Sequence, residues 1–287
     1  MKTAVSLLVA SLLALPASGQ VIGRIPEATP PTPDYTPPAP VAPAPPPKPA
    51  EPEKPLPSLV IKDADGKLKA YPQGVERAAI AAFEFDADTT RKIAASEEAR
   101  NADIERMIVE KLDKLKDAKA TRDRLNDIKD FNEFAKIKDV AAPLATEKLS
   151  DRLMRDGALN AMQRSRVDQV VKQYETTLRE QWQQQTGSDI LKIASLVAKE
   201  KFTEVTSDAF GALDRLLLRL APSLAAAEPD LKLTAQQKPQ FDAAVTAASG
   251  SDPARIDSLR SWFFSDLTPD QQKTLLTRGL PQAPAAK

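Results

Sequence analysis
The chain contains neither cysteine nor histidine. Without cysteine there is no disulfide, thiolate nucleophile or thiol-held metal, so the fold must be stabilised by packing alone. Without histidine, the commonest general base and a favoured ligand for transition metals are both missing. Any catalysis would rest on Asp, Glu, Lys, Ser, Thr or Tyr. Glycine is scarce as well, with 9 in 287 residues, and neither a Gly-rich phosphate loop nor a nucleophile elbow occurs. Net charge is absent: Lys plus Arg and Asp plus Glu each total 40. No global field therefore draws the chain to nucleic acid or anionic lipid. Beyond the extreme N-terminus, no segment approaches the ~20 apolar residues of a membrane helix.

What is present begins with an export signal. Lys2 gives a positive start, Ala4 to Leu15 is a short apolar run, and Ala17-Ser18-Gly19 offers small residues for cleavage before Gln20. Residues 1–19 are thus expected to be a signal peptide, and the mature protein to be periplasmic or secreted. Residues 20–57 follow as a disordered proline-rich arm, in which 15 of the 25 prolines lie between Pro26 and Pro57. Missing amide donors and fixed φ angles exclude helix and sheet there and favour extended polyproline II. At ~3.1 Å per residue the arm reaches roughly 100 Å. It reads as a tether across an envelope layer, a ligand for a proline-binding partner, or a plain solvated linker; composition favours the linker.

Residues 58–72 carry the only strand-like pattern, Leu59-Val60-Ile61 and Leu68 to Tyr71 around Asp63-Ala64-Asp65-Gly66, which predicts a short hairpin. The aspartates do not make a calcium loop. Gly66 comes two places too early, and Gly74 stands where a bidentate Glu belongs.

The remainder is helix-forming, with abundant Ala, Leu, Lys, Glu, Arg and Gln. A charged helical region over 73–142 carries Ile104, Ile108, Leu112 and Leu115 as one stripe, and Leu125, Ile128, Phe131, Phe134 and Ile137 as a second. The second stripe's strict spacing of three drifts around a 3.6-residue helix, so it is either wound across the surface or broken by a bend. Pro143 should end this region. A helical domain over 143–282 then shows Val167, Val170, Val171, Tyr174, Leu178 and Trp182, stopped by Gly187. Ile190, Ile193 and Val197 follow, then Phe210, Leu213, Leu216, Leu217 and Leu220, stopped by Pro222. Ile256, Leu259, Trp262 and Phe263 come last, entered through Asp252 and Pro253. Residues 283–287 read as a disordered tail. The fold class is all-α: a multi-helix bundle or helical hairpins behind the arm and hairpin.

One pattern recurs three times. Leu159-Asn160-Ala161-Met162-Gln163, Leu233-Thr234-Ala235-Gln236-Gln237 and Leu267-Thr268-Pro269-Asp270-Gln271 each carry an apolar residue four places after the final Gln: Val167, Phe241 and Leu275. Asn or Thr can cap open backbone amides, while Gln at the third helical position reaches back to the cap's own amide. The candidate motif residues are therefore Leu159, Asn160, Gln163, Leu233, Thr234, Gln237, Leu267, Thr268 and Gln271.

These residues also resemble the LTXXQ motif of the Spy-like family of bacterial periplasmic stress proteins. Two copies match its letters, and the first has Asn160 in place of Thr. Over about residues 158–280, the resemblance implies an all-helical protein that dimerises into a cradle and shelters unfolded clients. The expected function is an exported helical binding protein of the cell envelope, chaperone-like in form. The alternative is a structural envelope protein using the proline-rich spacer and self-associating helices between about 96 and 140. Partners would be an unfolded client or another protein, with homo-oligomers on either reading, and without nucleic acid or an integral membrane segment after signal cleavage. No cofactor and no metal are expected. An enzyme is the third reading, resting on Glu84, Asp86 and Asp88 as acid-base carboxylates. The sequence favours a solvated acidic patch there, and a core role for Trp182 and Trp262 over sugar stacking.

Overall fold
The computed structural model describes residues 55–281, apart from 72, 126, 128–130, 188, 251 and 253 and the side chains of 131 and 132. The signal-like segment 1–19, nearly all of the arm over 20–57, the tail 283–287 and Pro253 lie outside the described residues. The protein is all-α: 76% of the described residues are helical and none lies in a strand. The 58–72 segment turns back through a single antiparallel bridge between Lys62 and Leu68. Asp63 Oδ1 accepts the Asp65 and Lys67 amides at 3.0 and 2.8 Å, so this aspartate is spent on the turn itself.

Helix α1 runs over Val75–Ala82, α2 over Ala87–Glu110 and α3 over Leu112–Arg124. Asp86 starts α2 by accepting the Thr89 amide at 2.8 Å. Lys111 separates α2 from α3 with φ −107° and ψ 33°, and its ammonium donates to the Pro143 carbonyl at 2.7 Å. The described part of the second apolar stripe falls on two helices, with Ile128 outside the described residues: α3 ends at Arg124, and α4 spans Phe131–Ala141 before a 3-10 turn at Ala142–Leu144 that holds Pro143.

Helix α5 occupies Leu149–Arg155, α6 Ala161–Thr186 and α7 Ile190–Leu220. Gly187 ends α6 at φ 59°, a backbone conformation that suits glycine, and Asp189 caps α7 through the Lys192 amide. At 31 residues, α7 is about 46 Å long. A 3-10 stretch over Ala221–Ala227 contains Pro222, followed by the single turn α8 (Glu228–Leu231). Then come α9 (Lys238–Ser249), α10 (Arg255–Ser265) and α11 (Pro269–Gly279). Helix α10 starts later than the Asp252 signal predicts. Asp252 Oδ1 closes a local turn on the Ala254 amide at 2.8 Å, leaving regular helix to begin at Arg255.

One apolar core joins the C-terminal half of α2 to α3, α4, most of α7, the 3-10 stretches and α9 to α11. The 73–142 and 143–282 stretches therefore share it. Ile104, Ile108, Leu112 and Leu115 of the first stripe lie in it, together with Phe202, Leu213, Leu216, Phe263 and Leu276. Gly279 allows α11 to approach α7 closely, because an added Cβ would sit 2.9 Å from Leu220 Cδ1. Other buried apolar residues fall outside this core: Leu59, Ala79, Ile80, Ile93, Leu149, Leu153, Leu159, Val167, Val170, Tyr174 and Ala194 among them. They belong to the 58–72 segment, α1, α5, α6 with the residue before its cap, and the N-terminal parts of α2 and α7, where α6 packs against α1, α5 and α7.

Buried polar groups brace the helices. Arg100 on α2, 5% exposed, donates to the Glu147 carbonyl, Thr146 Oγ1 and Asp208 of α7. Burial pushes the Asp208 carboxyl up, but the hydrogen bonds and charges of Arg100, Thr146 and Arg77 outweigh it and hold it below the ordinary range. Glu105, 1% exposed, accepts from Arg215 and Arg219 of α7, and Arg219 also donates to the Gly279 carbonyl at 2.8 Å. Glu76 of α1 caps α5 from a distance: its carboxylate accepts the Leu149 and Ser150 amides at 2.9 and 3.1 Å.

Candidate functional site
All three motif copies stand at helix starts. Asn160 Oδ1 accepts the Gln163 amide at 2.9 Å, and Gln163 Oε1 accepts the Asn160 amide at 2.9 Å. Thr268 and Gln271 make the same exchange at 3.3 and 2.8 Å. Thr234 and Gln237 make it at 3.3 and 3.0 Å, although regular helix begins only at Lys238, three residues later relative to the cap than in the other copies. Each box satisfies donors that the first helical turn leaves open. Leu159 and Leu267 are buried beneath their boxes, and Leu233 packs against the main core.

The second and third copies are joined to each other. Gln237 Nε2 donates to Gln271 Oε1 at 2.9 Å, and Gln271 Nε2 donates back to Gln237 Oε1 at 3.2 Å. Each amide then reaches a backbone carbonyl on the far side: Gln237 that of Asp266 at 2.6 Å, and Gln271 that of Leu231 at 2.9 Å. Both side chains thereby fill two donor and two acceptor positions, a fully satisfied polar knot between two helix starts. An Arg278 to Asp230 ion pair adds a second tie between α11 and α8.

The first copy stands apart. Among the described residues, Gln163 exchanges bonds with Asn160, its amide NH2 donates to no protein group, and it touches neither other glutamine. Beside it Met162 is 65% exposed and Met154 of α5 is 40% exposed.

At the opposite end of α6, the hairpin segment lies along the helix. Tyr174 donates to the Lys69 carbonyl and Gln181 accepts the Leu68 amide, with Tyr71 edge-on to Tyr174 at 5.3 Å. Burial first, then the charge of Glu200, pushes the Tyr174 hydroxyl's pKa up. Just across the Gly187 turn, Ile190 and Leu191 begin α7 at 51% and 47% exposed. Ile193, Leu196, Val197 and Trp182 nearby are only half-buried, and Ile61 of the hairpin is 50% exposed. Trp182 thus sits at the margin, whereas Trp262 is a core residue packed at 5.9 Å from Phe241.

The acidic run takes a helix-starting place. Asp86 caps α2, and its hydrogen bonds from Thr89 hold its carboxyl below the ordinary range, the opposite of what a proton donor at neutral pH needs. Asp88 is exposed and ion-paired to Lys92 at 2.8 Å, and Glu84 is exposed. Among the described residues, no group of three acidic side chains is arranged to hold a metal, and no helix is long and apolar enough to cross a membrane.

Sequence reasoning missed the Gln237–Gln271 pair, the Arg100–Asp208 and Glu105 braces, and the exposed start of α7. The last left a trace, since Leu191 stands outside the Ile190, Ile193 and Val197 stripe, directly after a helix start capped by Asp189. No family model, curated protein or solved structure matches this chain.

Proposed function
We propose that the protein is an exported, helical binding protein of the cell envelope that holds unfolded or partly folded protein clients. The observation that carries this reading is the apolar end of the α6–α7 hairpin. Ile190 and Leu191 are half-exposed on a helix start whose neighbours Ile193, Leu196, Val197 and Trp182 are themselves only half-covered. Clustered apolar surface of this kind is what a client's exposed hydrophobic segments would bury. The charged groups nearby are paired locally, as Lys192 with Asp189 and Lys201 with Glu204, which keeps the end soluble without a net field. The three capping motifs support the same assignment through their resemblance to the LTXXQ family, and the signal-like N-terminus supports export.

The structural alternative draws less support. The apolar stripe of Ile104, Ile108, Leu112 and Leu115, which self-association between residues 96 and 140 would need, is buried in the protein's own core. The outward face is covered by short-range ion pairs such as Arg106–Asp103 and Lys119–Asp123.

Suppression of light scattering by an unfolding client is the test, using mature protein from Gln20 onward at near-stoichiometric ratio. Suppression should occur, and an Ile190→Ser/Leu191→Ser variant should lose most of it while keeping its helicity. Absence of suppression in the unaltered protein, or full suppression by the variant, would sink the reading.

A further inference from the structure
Residues Leu68 to Tyr71 lie on α6 as a bound peptide would. Gln181 Oε1 accepts the Leu68 amide at 3.0 Å, the Tyr174 hydroxyl donates to the Lys69 carbonyl at 2.9 Å, and the Tyr71 ring stands edge-on to Tyr174 at 5.3 Å. Both hydrogen bonds hold main chain. The Lys69 side chain is exposed, so another extended backbone could take the same place on these two hooks. The rest of the segment is lightly built: one antiparallel bridge joins Lys62 to Leu68, and the Tyr71 hydroxyl donates to the Leu59 carbonyl at 2.9 Å. With the segment in place, Tyr174 is 4% exposed. The helix face beneath continues towards the client end. Tyr174, Leu178 and then Gln181 and Trp182 follow at helical spacing along one side of α6, leading to the Gly187 turn and the half-exposed Ile190 and Leu191.

We propose that this face of α6 is the part of the client site that grips main chain, and that residues 58–71 are its resident occupant, a strap that an extended client segment displaces by taking over Gln181 and Tyr174. The inference rests on the client-binding reading and adds the form in which a client is held. The client offers an amide to Gln181, the next residue's carbonyl to Tyr174, and an aromatic side chain two places further on to the Tyr174 ring, as Leu68, Lys69 and Tyr71 do now. Hooks on main chain suit a partner whose sequence varies, since every residue but proline supplies both groups. Strap and client compete for one site, so the fraction of protein with its strap released sets the apparent affinity.

The absence of native cysteine allows the strap to be tied down. Lys67 is exposed beside Leu68, and Gln185 is exposed one helical turn beyond Gln181. In a Lys67→Cys/Gln185→Cys protein, a short bifunctional reagent that forms thioethers joins strap to helix; the same protein with each thiol capped singly is the control. Insulin B chain, set free by reduction, is the aggregating client. The tied protein should need about fivefold more chain for half-protection than the capped control, with equal helicity. Tyr71→Ser acts in the other direction. It removes the ring from Tyr174 and the bond to Leu59, leaves both hooks in place, and should lower the amount needed by about twofold or more. A strap that is a permanent part of the fold predicts equal protection by tied and capped protein, and no gain from Tyr71→Ser; either result overturns the proposal. Parent protein that protects no client at all is a failure of the proposed function, whereas parent protection that tying leaves untouched removes the strap alone.

Discussion
The two ends of α7 are made of similar residues and have different fates. From Ala198 onward, Phe202, Ala209, Phe210, Leu213, Leu216, Leu217 and Leu220 are buried, in a half of the helix that packs against α2, α4, α10 and α11. Over the first eight residues only Ala194 is buried, although Ile190, Leu191, Ile193, Leu196 and Val197 are no less apolar. Capping by Asp189 and helix propensity suffice to start this helix; partners on several sides are what bury it. The same contrast runs through the motif copies, two locked together at the packed end and one left open beside α5.

The largest effect that would break this comparison concerns packing. Phe263, fully buried in the main core, should cost about 3–5 kcal/mol as Phe263→Ala and lower global stability by denaturant unfolding. Leu153 is equally buried in α5, yet Leu153→Ala should fall at the low end, about 2 kcal/mol, because the thinner packing around α1, α5 and α6 can relax into the space. Hydrogen exchange should show its effect first in α5 and α6. Equal costs, or global loss from Leu153→Ala alone, would mean that the two ends share one cooperative core after all.

How much of this was legible depends on the range of the interaction. The fold class and the stripes of Ile104 to Leu115 and Phe210 to Leu220 could be read because periodicity marks a helix face without knowledge of its partner. The boxes at Asn160 and Thr268 could be read because cap and glutamine lie three residues apart. Glu76 capping α5, Arg100 bracing Asp208 and Glu105 between Arg215 and Arg219 span 73 to 114 residues, and each looks in sequence like one more solvated charge. The break at Lys111 carries no Gly or Pro; the Lys111 ammonium meets the Pro143 carbonyl there, a contact that only the fold supplies. The pairing of Gln237 with Gln271 was invisible for the same reason. Identical motifs say nothing of whether they meet.

That pairing gives the middle-sized prediction. Removing both partners should be less harmful than the sum of the single losses, since each lone amide leaves the other unsatisfied. In a double-mutant cycle of Gln237→Ala and Gln271→Ala, the coupling should be about 1 kcal/mol by thermal or urea unfolding. Gln163→Ala crossed with either should couple by less than about 0.3 kcal/mol and cost only its cap, about 0.5–2 kcal/mol. Additivity at 237 and 271 would reduce the knot to two neighbouring caps.

The smallest effect tests the loose end by proton. Glu200 lies on α7 facing Tyr174 and Glu175 of α6, with Glu204 and Lys201 on its own helix, and it has no hydrogen bond or ion pair among the described residues. Burial first, then the charge of Glu204, pushes its carboxyl above the ordinary range, with Lys201 opposing and Glu175 adding. A raised folded value means that the folded state takes up this proton before the unfolded state does. Glu200 should therefore cost stability at neutral pH, and that cost should fade as pH drops through its folded value towards the ordinary carboxylate range. Asp208, held low by Arg100, has the opposite sign: its contribution is complete above the ordinary range and is lost as pH falls through its depressed folded value. Glu200→Gln should raise stability at pH 7 by up to about 0.5 kcal/mol and have no effect near pH 4. A stability loss at pH 7 would show instead that the carboxylate is held there by something it needs, and that the α6–α7 end is built more tightly than its exposed apolar residues suggest.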